Sequence, residues 1–359
     1  MQYCCVECFN DKTLKDYIIE HGELGNCHFC GAQDVTCILP EKLEDLFIPV
    51  VGLYDIIENF MPLHDLKEWS GEFIWEKLNE DWDVFGFYDY EKQEELVKAI
   101  FASRNPRDGN DQFLHSFVEM EDEYWGTKDE VSEELGQQWE QFCQELKFKN
   151  RYFPGRVIDL DLLTELLPFQ EETMEVNSHL YRARICDTLE KIHPSQMGKP
   201  PVERSQHGRA NPIGIPYLYV ASDTTTAIAE KRPFAKERVT VGDFLLKRPL
   251  KVVNLREPKV DDPFRYGDNL EFVVMHLGFI RKLGFELSKT ISPKEAEIEY
   301  MPLQYLCEYI KIRGYDGVAY KSAVAKGYNL AIFSDYKLEC IESELYEIKN
   351  IQYEYEKVV

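Results

Sequence analysis

The stretch GRANPIGIPYLYVASDTTTAIAEKRP, residues 208–233, decides how the second half of this chain is interpreted. A loop rich in glycine and proline leads into a short apolar strand, and a helix follows that Ser222 or Asp223 can cap. Glu230 lies two turns into that helix, among small residues. A carboxylate near a loop that carries Arg209 suits a site for a ribose hydroxyl beside a phosphate, because the planar guanidinium matches phosphate oxygens.

The sequence around this stretch indicates an α+β domain. Residues 190–216 are rich in glycine, proline, serine, asparagine and histidine, which predicts a long irregular loop. Helices are expected at Leu270–Leu283 and Leu303–Arg313, with a connecting helix at Asp159–Leu167. Short apolar runs bounded by turn residues predict strands at Leu180–Ile185, Tyr217–Ala221, Val239–Leu246, Lys251–Leu255, Asp316–Tyr320 and Asn329–Phe333.

Two motifs in this half resemble the RES family, which is named for its Arg, Glu and Ser. The first is GRxNxxGxxxLY, followed about ten residues later by AxxE, within residues 208–230. The second lies in YMPLQYLCEYIKIRGYDGVAYKS, residues 300–322, and continues in KGYNLAIF, residues 326–333. The family's helix, turn, strand and serine occur there in the same order. The resemblance covers residues 177–335, which is under half of the chain.

The resemblance implies a fold like that of ADP-ribosyltransferases and an enzyme that consumes NAD. Members of this family include toxins that cleave the nicotinamide–ribose bond and are inhibited by an antitoxin, and this part of the chain resembles them. The resemblance therefore implies an NAD glycohydrolase or phosphorylase, acting as a toxin or defence effector. The alternatives are a protein ADP-ribosyltransferase and a non-catalytic sensor of NAD or ADP-ribose that acts through the N-terminal domain. By position, the implied catalytic residues are Glu230, Arg209, Tyr219 and Ser322, and the implied NAD-binding residues are Arg182, Arg209, Tyr219, Asn211 and Ser322.

Each of these residues also has an ordinary structural interpretation. Arg209 and Glu230 can form a surface ion pair, which contributes about 0–1 kcal/mol to stability. Tyr219 can be a core aromatic residue on its strand. Composition and periodicity do not separate these interpretations from a binding site, and the family resemblance is what favours the site.

The implied chemistry gives each side chain a separate task. Cleavage of the nicotinamide–ribose bond builds positive charge on the ribose, so the Glu230 carboxylate would stabilise that charge and hold the 2′-hydroxyl. Tyr219 would stack on the nicotinamide ring, and Ser322 would hydrogen-bond the ribose or a phosphate. The cations expected to bind the diphosphate are Arg182 and Arg209, with His207, Lys199 and Arg204 in the loop.

Composition changes sharply near residue 150. Residues 1–150 contain 34 acidic and 12 basic residues, a net charge of −22, whereas the remainder contains 31 and 29. All five tryptophans lie in the first part, at positions 69, 75, 82, 125 and 139. We therefore expect an acidic helical domain over 1–150, a connector helix within 151–176 and a RES domain over 177–359. Helices of the first domain are predicted at 10–21, 43–59, 72–81, 92–103 and 130–146.

Two CxxC pairs near the N-terminus, within residues 4–31, predict a metal site. The paired residues are Cys5 with Cys8 and Cys27 with Cys30. Four thiolates at this spacing can surround a zinc ion in a tetrahedron, and sulfur would fill every position, so the metal is expected to be structural. The alternatives are four free cysteines in a reducing compartment, or Cys4 or Cys37 in place of one ligand.

The sequence also limits the partners and the location. The longest apolar stretches are too short to cross a bilayer, and the first residues form no signal region, so a cytoplasmic protein is expected. An acidic N-terminal domain would repel a phosphate backbone, which argues against direct nucleic-acid binding. Besides NAD, we expect an antitoxin or regulatory protein as partner. A homo-oligomer is a further expectation, because small RES enzymes often pair.

The layout of the chain resembles longer RES proteins whose cysteine-bearing helical extension is similar to HEPN domains. Some HEPN domains are ribonucleases with an arginine four to six residues before a histidine. Here Arg104 and Arg107 lie too far from His115 for that motif, so ribonuclease activity is not expected. For this domain a partner-docking surface, a cover over the active site and a plain solvated helical domain all stay open.

Overall fold

The computed structural model describes residues 2–59, 71–104, 111–120, 127–292 and 294–351. The chain forms two compact units, of which unit 1 comprises residues 1–132 and 259–277, and unit 2 comprises residues 133–258 and 278–359. The mixed helix-and-sheet fold class is confirmed, whereas the domain boundaries drawn from composition stay a prediction. Trp69, Trp125 and Arg107 lie outside the described residues. Within the described ranges, none of the helices has the length and apolar character needed to span a bilayer.

The helices of unit 1 largely follow the predicted apolar periodicity. The first, Lys12–His21, begins after Asp11, whose carboxylate accepts a hydrogen bond from the Leu14 N–H at 2.9 Å, and it ends at Gly22. Both end signals match the prediction for residues 10–21. Three further helices of this unit are Glu44–Val51, Ile74–Trp82 and Tyr90–Ile100. Two longer helices, Thr127–Phe148 and Leu270–Ser288, contribute residues to both units.

The short strands of unit 1 were not predicted from the sequence. Cys4–Cys5 (β1), Glu23–Gly25 (β2) and Val35–Ile38 (β3) form a sheet of order β1-β3-β2, and Tyr54–Ile56 (β4), Glu72–Phe73 (β5) and Phe117–Met120 (β6) form one of order β4-β6-β5. The second half of the helix predicted at 43–59 is therefore wrong, because the helix ends before Gly52 and β4 follows. Glycine disfavours helix, and the aromatic and β-branched residues after it suit a strand.

One apolar core joins both sequence segments of unit 1. The rings of Phe47 and Phe264 lie 4.7 Å apart between centroids. Leu270 and Val274 belong to the same buried cluster as Leu96. Residues 259–277 therefore pack with the N-terminal residues, although they lie within the sequence of the second half.

A mixed sheet forms the centre of unit 2. Its strands are Glu171–Met174 (β7), His179–Cys186 (β8), Leu218–Ala221 (β9), Arg238–Leu246 (β10), Leu250–Asn254 (β11), Gly317–Lys321 (β12), Tyr328–Ile332 (β13) and Leu338–Glu347 (β14). They lie in the order β14-β10-β8-β9-β13-β12-β11-β7, with β11 and β12 parallel and the other neighbouring pairs antiparallel. The six predicted strands are confirmed. The unpredicted β7 and β14 are edge strands, whose charged side chains weaken the apolar signal.

The helices of unit 2 connect these strands. Thr224–Lys231 follows β9, and its N-cap is Asp223, whose carboxylate accepts the Thr226 N–H at 2.8 Å. This decides between the two caps that the sequence allowed. The remaining helices that lie wholly in this unit, among the described residues, are Leu160–Leu166, Ala296–Glu299 and Met301–Ile312.

Candidate active site

A cleft of about 500 Å³ lies where β8 and β9 meet. The two strands pair at one position, Tyr181 opposite Ala221, whereas β8 pairs with β10 along its whole length. Both residues of that single pair line the cleft. Its charged lining residues are Arg182, Arg209, Glu230, Lys231 and Arg232, and His207 lines it as well. The volume falls in the range of small-molecule sites, roughly 300–1,000 Å³.

The six residues that the sequence singled out are gathered at this cleft. Four of them line it, from four different segments: Arg182 on β8, Arg209 in the loop, Tyr219 on β9 and Glu230 on the helix after β9. The other two, Ser322 and Asn211, are buried and hydrogen-bonded to lining residues. The arrangement therefore unites residues that lie up to 140 positions apart in the sequence.

The loop that carries Arg209 is held by Asn211. The Asn211 amide nitrogen lies 3.0 Å from three loop carbonyl oxygens, those of Gln206, Pro212 and Ile215. Its Oδ1 accepts the Tyr219 hydroxyl at 2.7 Å, and that hydroxyl in turn accepts the Ala210 N–H at 3.0 Å. Burial raises the pKa of Tyr219 well above its usual range, so the hydroxyl stays a neutral donor. The NAD contact expected of Asn211 stays a prediction, since its amide already bonds the loop.

Gly208 is the position where the loop admits no side chain. A Cβ there would lie 2.4 Å from Asn211 Oδ1 and 2.6 Å from Tyr219 Oη, both far inside van der Waals contact. The Gly208 N–H donates to the Asn211 carbonyl at 2.9 Å, and the Gln304 amide donates to the Gly208 carbonyl at 2.8 Å. The first glycine of the motif thus allows the loop to close against β9.

Arg209 is held by aromatic rings and a carbonyl group. Its guanidinium lies 5.2 Å from the Tyr300 ring centroid and 5.9 Å from that of Tyr320, within cation–π range. One guanidinium nitrogen, Nη1, donates to the Lys289 carbonyl at 2.7 Å. Arg209 therefore packs differently from the surface ion pair with Glu230 that was the alternative interpretation.

Arg182 is a partly buried cation that forms no ion pair with any residue that the structure describes. Its Nε and Nη1 atoms are inaccessible to water and have no hydrogen-bond partner in the part of the chain that the structure describes. Burial, and then repulsion by Arg184, lower the pKa of Arg182 to about 10. The side chain is still charged at neutral pH. An unpaired buried charge is costly, so this position favours a negatively charged group in the cleft.

Glu230 is oriented by two donors that act on the same oxygen. The Ser322 hydroxyl and the Asn329 amide each donate to Glu230 Oε1 at 2.7 Å. Neither bond uses Oε2, and the residue is exposed to the cleft. The carboxylate is thereby held in one orientation with an oxygen available for a ligand hydroxyl.

Two of the cations expected in the loop lie elsewhere. Lys199 forms an ion pair with Asp335 at 3.3 Å and is not part of the lining, and neither is Arg204. His207 does line the cleft. Lys231 and Arg232, which were not predicted, follow Glu230 directly and add positive charge. Four arginine and lysine side chains thus face one carboxylate, which gives the cleft a net positive charge.

Asn329, Tyr300 and Tyr320 were also missed. Asn329 and Tyr320 are directly opposite each other on β13 and β12, so both side chains reach the cleft from one face of the sheet. All three lie in or beside the second motif, whose matching order was the available signal. Nothing in the spacing of single residues distinguishes them from core positions.

The four cysteines of the two CxxC pairs form a second polar cluster, in unit 1. Their sulfur atoms all lie within 4.8 Å of one another. Separations of 3.3 Å for Cys8–Cys27, 3.4 Å for Cys5–Cys30 and 3.8 Å for Cys5–Cys8 are near the roughly 3.8 Å of a tetrahedral zinc–thiolate site. Cys4 and Cys37 are outside the cluster. In the β1–β3 ladder, Cys4 lies opposite Ile38 and Cys37 lies opposite Cys5. The sulfur set predicted from the spacing is the one that converges.

Comparison with known proteins agrees with the two-part layout. Residues 179–349 match the family model of the RES domain, and residues 20–158 match HEPN/RES N-terminal domain 1, which confirms the resemblance. One solved structure similar to the chain is the M. tuberculosis MbcT–MbcA toxin–antitoxin complex. The identity is 15%, the alignment covers 52% of this chain and 93% of that chain, and the TM-score is 0.31. No curated protein matches the chain.

Proposed function

Because the chain carries a RES domain behind a HEPN/RES N-terminal domain, we propose that it binds NAD in the β8–β9 cleft and cleaves the bond between nicotinamide and ribose. The observation that carries this proposal is the guanidinium of Arg182 at the cleft wall, whose Nε and Nη1 have no hydrogen-bond partner among the described residues. A dinucleotide brings a diphosphate, which is the kind of anion that would satisfy a buried cation.

The diphosphate would lie between the two motif arginines. Arg182 offers two guanidinium nitrogens, Nε and Nη1, whose N–H groups no protein atom accepts within the described residues. Arg209 is stacked beside Tyr300 and bonded to the Lys289 carbonyl through Nη1, and among the described residues no hydrogen bond uses the rest of its planar fork, which can meet an anion. Pre-positioned donors of this kind gain affinity because less side-chain entropy is lost on binding.

Glu230 would face the ribose whose bond to nicotinamide breaks. As the C1′–N1 bond breaks, its electron pair leaves with nicotinamide, which departs neutral, and positive charge develops on the ribose ring. A carboxylate held in place by Ser322 and Asn329 stabilises that charge without having to reorganise. Its unused Oε2 would accept the 2′-hydroxyl. The ribosyl cation is then captured at C1′ by an acceptor, which is water for a glycohydrolase or phosphate for a phosphorylase.

Tyr219 would supply a ring surface and leave its hydroxyl out of the reaction. The hydroxyl is already bonded to Asn211 and the Ala210 N–H, so the ring, which lines the cleft, is what remains for the substrate. Stacking on nicotinamide would fix the orientation of the leaving group while its bond to the ribose breaks.

Nicotinamide release measured by chromatography tests the proposal. Full-length protein incubated with NAD should release nicotinamide, and Glu230→Gln should lower the rate by about 10²–10³-fold, the usual loss when a transition-state contact is removed. Glu339 is an exposed residue on β14 that pairs with Lys247. The variant Glu339→Gln should release nicotinamide at the wild-type rate. Parallel reactions with and without phosphate identify the acceptor from the product.

The same experiment separates the sensor alternative from the enzyme. An unfolding temperature raised by NAD, combined with no nicotinamide release from any variant, would make the chain a sensor and overturn the enzymatic proposal. Transfer of label from adenine-labelled NAD to protein would identify an ADP-ribosyltransferase instead. Equal turnover by Glu230→Gln and wild type would show that Glu230 is misassigned.

We also propose that Cys5, Cys8, Cys27 and Cys30 hold a structural zinc ion. Four converging thiol groups that are mostly buried suit no water-bearing catalytic metal, because no ligand position is left open. Zinc would join β1 and the turn after it to the segment that precedes β3. Purified protein should contain one zinc per chain by elemental analysis, and Cys27→Ser should lose it.

A toxin or defence role with a regulatory protein partner is the third part of the proposal. It rests on the RES family resemblance and on an active-site cleft that is open to solvent in unit 2. Expression of wild type should arrest growth and lower cellular NAD, whereas Glu230→Gln at equal abundance should do neither. Growth arrest by both wild type and Glu230→Gln would show that the toxicity does not depend on the cleft.

A further inference from the structure

The turn between β12 and β13, residues 322–327, is flanked by the two donors to Glu230. Ser322 is its first residue, and Asn329 follows it on β13. The tip of the turn, at positions 323, 324 and 326, is exposed to solvent. Core packing therefore does not fix the tip, so the position of the two donors depends on what the ends of the turn contact.

The end of the turn packs closely against the start of the helix Thr224–Lys231. A Cβ on Gly327 would lie 2.3 Å from Asp223 Oδ2 and from Thr226 Oγ1, and 2.4 Å from Ser222 Oγ. Gly327 does not have the left-handed backbone that favours glycine. Its neighbours, and not its own φ angle, therefore exclude a side chain, which marks a point of close approach.

The three oxygens around Gly327 belong to a hydrogen-bonded group that we call the N-cap cluster, formed by Ser222, Asp223 and Thr226. Asp223 Oδ2 accepts the Ser222 hydroxyl at 2.8 Å and the Thr226 hydroxyl at 2.7 Å, while Oδ1 accepts the Thr226 N–H at 2.8 Å. Burial opposes ionisation, but the bonds from Thr226 and Ser222 outweigh it and lower the pKa of Asp223. The charged carboxylate thus holds both hydroxyl groups in place.

Ser222 also connects the N-cap cluster to β13. Its N–H donates to the Tyr328 carbonyl at 2.9 Å, and its Oγ accepts the Tyr328 N–H at 3.1 Å. Across the turn, the Ser322 N–H donates to the Gly327 carbonyl at 3.1 Å. The start of the helix, the turn and the first residue of β13 are therefore bonded to one another.

We propose that Gly327 and the N-cap cluster position Glu230 against its two donors, an inference that rests on the cleavage proposed above. Thr226 and Glu230 lie one helical turn apart, about 6 Å along the axis, and face the same side. One hairpin therefore contacts the helix twice, at Thr226 through Gly327 and at Glu230 through Ser322 and Asn329. The first contact sets the distance at which the second forms.

These positioning residues act through Glu230 and not on the substrate. Neither Gly327 nor any member of the N-cap cluster is among the residues that line the cleft. Stabilisation of the ribosyl cation depends on a carboxylate held in place, and a displacement of about 1 Å can cost about 10²-fold in rate. A shift of the hairpin away from the helix would therefore lower kcat, while Arg182 and Arg209, on other segments, would still bind the diphosphate.

Gly327→Ala tests the close contact directly. The added methyl group must move the turn away from the N-cap cluster, so kcat for NAD should fall by at least about tenfold while KM stays within about threefold. Gly155→Ala is the control, because a Cβ there would lie 3.7 Å from its nearest neighbour. This variant should keep kcat within about twofold of wild type. A wild-type kcat for Gly327→Ala, or a rise in KM as large as the fall in kcat, would overturn the proposal.

Ser222→Ala alters the same contact without adding bulk, and it decides the question alone if Gly327→Ala does not fold. It removes one of the three oxygens and the bond to the Tyr328 N–H, so kcat should fall by about threefold to tenfold, the scale of one hydrogen bond. Gly327→Ala should then cost less in this background than in wild type, because the methyl group has more room. Fully multiplicative effects, or an unchanged kcat for Ser222→Ala, would overturn the proposal.

The side-chain amide signals of Asn329 in NMR spectra report the position of Glu230 without turnover. In wild type this amide donates to Glu230 Oε1 at 2.7 Å, and its signals can be assigned by their loss in Asn329→Ala. Gly327→Ala and Ser222→Ala should move them towards those of a solvent-exposed amide, whereas Gly155→Ala should not. Signals that stay in place would overturn the positioning role even if both variants are slow.

Turnover and these signals separate the two proposals. Absence of nicotinamide release from wild type, together with signals that move as expected, would overturn the cleavage and support the positioning of Glu230. Release by wild type, together with signals and rates that neither variant changes, would support the cleavage and overturn the positioning.

Discussion

Asp11 in unit 1 and Arg182 in unit 2 present the same physical problem with different solutions. Each has buried polar side-chain atoms for which the described part of the chain supplies no hydrogen-bond partner. Burial and the nearby Asp262 carboxylate raise the pKa of Asp11 to about 7, so a proton can remove its charge. The pKa of Arg182 falls only to about 10, so Arg182 stays cationic. Near neutral pH a proton can neutralise Asp11, whereas Arg182 keeps its charge. A buried charge that titration cannot remove therefore indicates a site for a ligand of opposite charge.

The surroundings of the two residues agree with this difference. Asp11 caps a helix through Oδ1, and Asp262 accepts the Thr13 hydroxyl at 2.9 Å, so the carboxyl pair is part of the folded structure of unit 1. Arg182 lies beside a cleft that is large enough for a ligand, next to Glu230 and Arg209. The acid is part of the folded structure of unit 1, whereas the arginine lines the cleft that we propose as the binding site.

The largest effect that would sharpen the comparison is expected from Arg182→Met. We predict that kcat/KM for NAD falls by about 10²-fold or more, since losing one partner of a buried charge pair costs about 2–5 kcal/mol. The unfolding temperature of the ligand-free protein should not fall, because an unpaired buried charge has been removed. Steady-state kinetics and thermal unfolding measure the two quantities.

Arg184→Met is the matched control for that variant. Arg184 lies two residues further along β8, is exposed, and donates to the Gln196 carbonyl at 2.7 Å. Its replacement should leave kcat/KM within about threefold of wild type, as surface changes usually do. A lower unfolding temperature for Arg182→Met than for Arg184→Met would mean that the protein itself already satisfies Arg182.

An intermediate effect is expected from Asn329→Ala. This change removes one of the two donors to Glu230 Oε1, so kcat should fall about tenfold, the cost of one hydrogen bond to a charged group. Asn254→Ala, on the neighbouring part of the sheet in β11, is the control. An unchanged kcat would show that Ser322 alone orients the carboxylate.

The smallest effect concerns the pH dependence of unit 1. Because the folded-state pKa of Asp11 is raised to about 7, its stabilising contribution is present at acidic pH and is lost as the pH rises through about 7. Asp11→Asn keeps the helix cap and supplies N–H donors at every pH. We expect it to reduce the decline of the unfolding temperature between about pH 5 and pH 8 by about 2–4 °C.

Asp16→Asn serves as the control for that measurement. Asp16 is exposed on the same helix, so its replacement should leave the slope of unfolding temperature against pH as in wild type. A slope for Asp11→Asn that equals the wild-type slope would mean that the pKa of Asp11 is not raised in the folded protein, and the comparison with Arg182 would fail.

The fold was predictable from the sequence wherever local signals were strong. Asp11 and Gly22 delimit a helix correctly, and the buried strands of unit 2 have continuous apolar runs. The edge strands β7 and β14 were not predictable, because their side chains are largely exposed and charged. The membership of residues 259–277 in the core of unit 1 was equally invisible, since it depends on tertiary packing of Phe264 and Leu270.

The candidate site divides in the same way. Spacing identified the four converging cysteines, because the sequence near the N-terminus repeats the CxxC pattern twice. Arg209, Tyr219, Glu230 and Ser322 were identified through the two family motifs, and residues of both motifs line the cleft. Asn329 and the tyrosines around Arg209 were missed, because their importance lies in cross-strand neighbours that no sequence pattern encodes.

Titration calorimetry of NAD into the slow variant Glu230→Gln is the most direct measurement of whether Arg182 awaits the diphosphate. We predict one NAD bound per chain, and an affinity at least about thirtyfold lower when Arg182→Met is added, which corresponds to about 2 kcal/mol. Equal affinities with and without the Arg182 guanidinium, or no binding by Glu230→Gln at all, would contradict the assignment of this cleft to NAD.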